Sequence, residues 1–116
     1  MDFDFVYKIC NKPEWLIAKQ NNKFIGTKKD VTDGFIHFSK KNQISGTLKK
    51  YFSKQKNLIL LKIEVSKIED LVWEQSSDGN IFPHLYSTFD ISSVCNEYDI
   101  FLNSNGIHSL PSEYKY

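Results

Sequence analysis

The chain has 116 residues, a formal charge of +1, and 41% hydrophobic, 25% charged and 15% aromatic residues. That length suits one domain over residues 1–116 with one core, and the near-neutral balance excludes binding of nucleic acid by bulk charge. The fifteen basic residues are all lysine, so no guanidinium fork is available to a phosphate or carboxylate, while the two cysteines without CxxC spacing, the acidic start and the lack of a membrane-length apolar run predict a reduced, cytoplasmic protein that stays off membranes.

Residues 5–10 (FVYKIC) predict a first strand with Tyr7 and Ile9 on one face and Val6 and Lys8 on the other. Asn11 and Glu14 have the spacing of a capping box, with Pro13 tolerated in the first turn, so a helix follows and dissolves at Asn21 and Asn22. Residues 26–32 read as a polar connection. Asp33-Gly34 then launches a second strand over residues 35–38, and Ser39 is placed to cap a helix in which Ile44, Leu48, Tyr51 and Phe52 recur at helical spacing.

Residues 58–65 (LILLKIEV) begin as a continuous apolar run and then alternate, the pattern of a central strand. Ser66 with Glu69 suggests one capped turn. Residues 72–74 and 81–86 flank Asp78-Gly79, a strong hairpin signal, and Pro83 implies an edge position or a bulge. An Asp90-led turn, a strand near residues 94–102 and a second hairpin signal at Asn105-Gly106 complete an α+β pattern.

Two motifs carry candidate chemistry, DGFIHFS at residues 33–39 and IFPHLY at residues 81–86. Alternation groups Phe35, His37 and Ser39 on one face of the first, and Phe82, His84 and Tyr86 on one face of the second. Each presents an imidazole beside an aromatic ring, and the chain holds more rings than a small core needs, so the two faces suggest one shared cleft for a small ligand. The competing reading is a pair of hydrogen-bonded core histidines with packing rings, which suits a lone histidine better than this pair. A metal would need Asp33 or Glu74 beside the histidines at a spacing that matches no zinc signature, and none is expected. Ser39 as a nucleophile lacks an elbow motif, which favours its capping role. Glu74 beside Trp73 is either a solvated hairpin carboxylate or an auxiliary group that stabilises developing positive charge, and His108 has no comparable setting.

Tyr7-Lys8-Ile9, Trp15, Asp33 to His37 with Ser39, Leu60-Leu61, Trp73-Glu74 and FPHLY at residues 82–86 stand in the order that marks the bacterial domain of unknown function 952 family, which the chain resembles over roughly residues 5–95. Ser87 departs from the family pattern, which usually continues with glycine. The resemblance implies a small ADP-ribosyltransferase-like domain, α+β, with split, mostly antiparallel sheets and two main helices. Its order of elements is similar to that of the NAD-dependent tRNA 2′-phosphotransferases. In that comparison His37 and Ser39 match a His-x-Ser, and Lys8 stands where those enzymes use a first-strand histidine.

The activity so implied is NAD-dependent ADP-ribosyl or phosphate transfer through a two-histidine pocket. Cleaving a nicotinamide–ribose bond needs a ring against the departing base, hydrogen bonds that fix the ribose and screening of a pyrophosphate. The residues expected to act are His37 and His84, which position the substrate, with Glu74 as an auxiliary carboxylate. Those expected to hold NAD are Lys8, Phe35, Ser39, Phe82 and Tyr86. The alternative is a non-catalytic module for a nucleotide or another small metabolite, so the expected partner in both readings is a small nucleotide-like ligand. A protein-interaction or toxin-immunity role is the third reading.

Overall fold

The computed structural model describes residues 4–114. In chain order it contains β1 (Phe5–Asn11), α1 (Lys12–Asn21), β2 (Lys23–Phe24), α2 (Lys28–Asp33), β3 (Ile36–His37), α3 (Ile44–Tyr51), β4 (Leu58–Glu64), β5 (Leu71–Gln75), β6 (Ile81–Leu85), β7 (Phe89–Asp90), β8 (Val94–Leu102) and β9 (His108–Ser109).

The period of two along β1 and β4 organises the packing, because successive side chains leave a strand on opposite faces. Val6 pairs with Ile63, Lys8 with Leu61 and Cys10 with Ile59 on one face, while Ile9 pairs with Leu60 and Asn11 with Leu58 on the other. β4 lies between β1 and β8 in the sheet β1-β4-β8-β9, the central position its apolar run predicts. Both faces of this sheet are apolar, so two cores form where one was expected. Val6, Cys10, Leu61 and Ile63 pack with Trp15 and Ala18 of α1 and with Phe24, Ile36, Phe38, Leu85 and Phe89. Tyr7, Ile9, Leu58 and Leu60 pack with Ile44 and Leu48 of α3 and with Ile100, Leu110 and Tyr114. Cys10 and Cys95 are free thiols, the first buried and the second exposed, and burial pushes the Cys10 thiol up to about 12.

The Asn11–Glu14 capping box forms with both bonds, Glu14 N donating to Asn11 Oδ1 at 2.8 Å and Asn11 N donating to Glu14 Oε1 at 3.0 Å. The helix ends at Asn22 in the left-handed conformation. The polar connection expected over residues 26–32 is instead largely helical. Thr27 and Asp30 make a second capping box that starts α2, and Gly34 closes it at φ 87°.

Two smaller antiparallel sheets, β2-β7 and β3-β6-β5, complete the α+β architecture of antiparallel sheets and few helices. The hairpin at Asp78-Gly79 joins β5 to β6. Pro83 is not on an edge strand, because β6 lies between β3 and β5. Phe38 N donates to Pro83 O at 3.0 Å, but proline has no N–H to return, so the β3 ladder stops at His37.

Ser39 does not cap α3. Its backbone bridges Tyr7 of β1 through Ser39 N to Tyr7 O at 2.8 Å and Tyr7 N to Ser39 O at 2.9 Å, and α3 is entered through a 3₁₀ turn, Lys41–Gln43. Ser66 likewise lies inside a 3₁₀ turn, Val65–Lys67, which has no side-chain cap. No helix among the described residues is long and apolar enough to cross a membrane.

Candidate functional site

The register between β3 and β6 sets His37 directly opposite His84, so both side chains leave the sheet on the same face. Their rings meet edge to face with centroids 5.5 Å apart. Phe35 lies against both, at 4.4 Å from His37 and 4.3 Å from His84, and touches Tyr86 at 5.2 Å. Two sequence segments more than forty residues apart thereby build one aromatic face.

His37 is anchored from below. Asp30 Oδ1 lies 2.7 Å from His37 Nδ1 and accepts the His37 backbone N–H at 3.1 Å. Asp30 Oδ2 accepts from Thr27 N at 2.8 Å. Lys8 reaches up from β1 to the same carboxylate, its Nζ 2.9 Å from Oδ1 and 2.7 Å from Oδ2, and donates to the His37 carbonyl at 2.8 Å. The Lys8 and Asp30 side chains are only 5% and 2% exposed. Burial alone would raise Asp30, but the His37 hydrogen bond, the Lys8 charge and the Thr27 amide hold its carboxyl far below the usual range. Burial pulls Lys8 downward against the opposing pull of Asp30. The oxygens around Nζ call for its N–H donors, and that geometry keeps the pair ionised.

Lys8 therefore cannot screen a pyrophosphate by direct contact, because its donors are taken and its head is buried. The far nitrogen of His37, Nε2, lies 3.0 Å from Asp33 Oδ2. That same oxygen receives Lys29 Nζ at 2.8 Å, and the Lys29 hydrogen bond lowers Asp33.

His84 is anchored from the side. Glu74 on β5 brings Oε1 to 2.8 Å from His84 Nδ1, and the Tyr86 hydroxyl donates to the same oxygen at 2.6 Å. The Tyr86 bond first, and His84 second, hold Glu74 below its ordinary value, and the same bond raises Tyr86. His84 Nε2 has no hydrogen-bond partner among the described residues. The remaining expected residues divide. Phe82 is half-buried opposite Glu74 in the register, whereas Ser39 is buried with Oγ 2.9 Å from Thr47 Oγ1, away from the imidazoles. His108 bonds the Gln55 carbonyl at 2.8 Å.

A cleft of about 270 Å³ opens beside the ring face, lined by Ile25, Asp30, Val31, Phe35, Tyr86 and Thr88 among others; the two imidazoles border it through Phe35 and Tyr86 and do not line it themselves. No group of three or more His, Cys, Asp or Glu side chains among the described residues is arranged to hold a metal ion. Asp30 is the residue that reading the sequence missed. Its signal was there, since Thr27 and Asp30 repeat the i, i+3 spacing of Asn11 and Glu14, but the partner that makes it important, Lys8, lies on another element. Chemically, the arrangement is two imidazoles on one face, each with Nδ1 tied to its own carboxylate. Such ties fix ring orientation and leave Nε2 of His84 as the nitrogen that meets a solute, whereas Nε2 of His37 meets Asp33.

Residues 9–97 match the model of a family described as protein of unknown function (DUF952). The chain is similar to the crystal structure of protein CC0527 from Caulobacter crescentus, with 42% identity, a TM-score of 0.84 and coverage of 90% of this chain and 93% of that one. It is also similar to the solution NMR structure of CC0527, at 42% identity, a TM-score of 0.78 and coverage of 90% of each chain. No curated protein matches the chain.

Proposed function

The chain belongs to the DUF952 family, and from that premise we propose that it is an ADP-ribosyltransferase-like enzyme, transferring ADP-ribosyl or phosphate with NAD as substrate at the face shared by His37 and His84. The observation that carries this reading is the imidazole pair itself, centroids 5.5 Å apart, each ring held by a carboxylate at 2.7 or 2.8 Å. Rings held in this way are positioned to donate hydrogen bonds or to move a proton without first reorganising.

When bound, NAD supplies a ribose C1′ whose bond to nicotinamide can break with the electron pair leaving on the base. The chain's own residues would do the rest. Phe35 and Tyr86 offer ring surface to a planar base, Nε2 of His84, and that of His37 once Asp33 gives way, meet ribose hydroxyls or the acceptor's proton, and Glu74 orients His84 while setting negative charge beside developing positive charge. The rings and imidazoles fit a base and a ribose. Lys8 and Ser39 do not extend that set, being buried and bonded elsewhere.

One observation favours a second reading, a non-catalytic module for a nucleotide or similar small metabolite. Lys8 is locked under Asp30 and the His37 carbonyl, at the position where the resemblance to the phosphotransferases implies a histidine. Incubation with NAD and quantitation of free nicotinamide separates the two. The enzyme reading expects steady release that falls by about 100-fold or more in His37→Ala and in His84→Ala. Thermal stabilisation by NAD or ADP-ribose without release supports the module. Neither release nor stabilisation removes both.

A further inference from the structure

His37 Nε2 and Lys29 Nζ converge on one oxygen, Asp33 Oδ2, at 3.0 and 2.8 Å; because Nδ1 already donates to the Asp30 carboxylate, Nε2 is a donor here in the doubly protonated form of the ring. We propose that these two donors form an oxyanion site, filled by Asp33 when the chain is alone and taken over by a phosphate or carboxylate oxygen of a ligand. The inference rests on the imidazole face being a ligand site, and not on turnover of NAD.

Two features support exchange at this point. Asp33 is the last residue of α2, where the unpaired carbonyls of a helix end disfavour a carboxylate. It is about one-third exposed, and exposed ion pairs hold weakly.

The donors, by contrast, keep a partner without Asp33. Asp30 grips His37 from the opposite nitrogen at 2.7 Å, and Lys29 Nζ lies 5.1 Å from the centroid of the Tyr51 ring, which retains an ammonium by its π face. Lys8 cancels the charge of Asp30, so the buried carboxylate does not repel an incoming anion. Lys29 thus takes the role that sequence reasoning assigned to Lys8, the cation nearest a ligand's charged group. Phe35, tilted against His37 at 4.4 Å, offers the adjoining apolar surface to the rest of such a ligand.

The test is titration of inorganic phosphate, pyrophosphate and acetate into the wild-type chain, Asp33→Ala, Asp33→Asn and Asp33→Ala/Lys29→Ala, by calorimetry and by the imidazole ¹⁵N resonances of His37. Removing the internal competitor is expected to tighten oxyanion binding by about tenfold in Asp33→Ala and less in Asp33→Asn, with His37 Nε2 shifting at saturation; deleting Lys29 as well reverses the gain. Preference for the phosphates over acetate identifies a phosphoryl ligand, and the reverse a carboxylate. Equal affinity in wild type and both Asp33 variants, a silent His37, or a gain that survives loss of Lys29 overturns the proposal. Nicotinamide release without any oxyanion response sinks this site alone, and an oxyanion response without release sinks the transferase alone.

Discussion

His37 and His84 face each other across one register position, yet their carboxylates occupy different media. Asp30 sits under β3, 2% exposed, and binds a buried ammonium. Glu74 sits on the outer strand of its sheet, 37% exposed, and binds a phenol. The first arrangement ties an imidazole to the fold itself, because neither charge can lose its partner without remaining stranded in a low-dielectric region. The second ties an imidazole to its neighbours only, since water can replace any partner that leaves. Similar distances therefore conceal unequal consequences for stability.

The widest gap between the two should appear on deleting the carboxylates. Asp30→Ala strands Lys8 and is expected to lower the unfolding free energy by about 3–5 kcal/mol, measured by urea denaturation. The double replacement Lys8→Met/Asp30→Leu removes both charges and should recover most of that loss while leaving His37 without its anchor. If the single and double variants are equally unstable, the ion pair is not what holds this region.

A second, smaller separation should appear in acid. The folded value of Asp30 is depressed, so between that value and the ordinary aspartate value of about 3.9 the native chain holds fewer protons than the unfolded chain. Its stabilisation is fully present above the ordinary value and is lost as pH falls through the interval toward the folded one. Denaturation midpoints measured from neutral pH downward should fall less steeply in Lys8→Met/Asp30→Leu, which lacks this titration, than in the wild type. Parallel profiles would contradict the assignment.

The smallest effect belongs to the other histidine. Glu74→Gln and Tyr86→Phe should leave the thermal midpoint close to that of the wild type, because the groups are exposed, while changing the ¹⁵N signature of His84. A large loss of stability in either variant would show that this side is anchored as firmly as the first.

What the sequence disclosed follows the range of the interactions. The helix after Asn11 was legible because its cap closes within three residues, and the hairpin at Asp78-Gly79 because a two-residue signal determines it. The opposition of His37 and His84 was suggested by two similar motifs, each read with a period of two. α2 was lost because a short helix with Val31 as its one large apolar residue has no periodicity to detect, although Thr27 and Asp30 carried the capping signal. The burial of Lys8 could not be read locally, since its partner lies 22 positions away. Pro83 misled for a related reason. A missing donor is tolerated inside a sheet where the neighbouring strand happens to end, and that ending is a property of β3, not of β6.

The backbone bridge between Tyr7 and Ser39 has a further implication when taken with Lys8. Both come from β1, so one strand laces the two sheets together and also supplies the ammonium beneath His37. The histidine face is consequently not a module that can assemble early and wait for the remainder of the molecule. A nascent or partly denatured chain with β1 still undocked would carry its histidines without a foundation, and recognition of a ligand and global cooperativity should vanish at the same denaturant concentration.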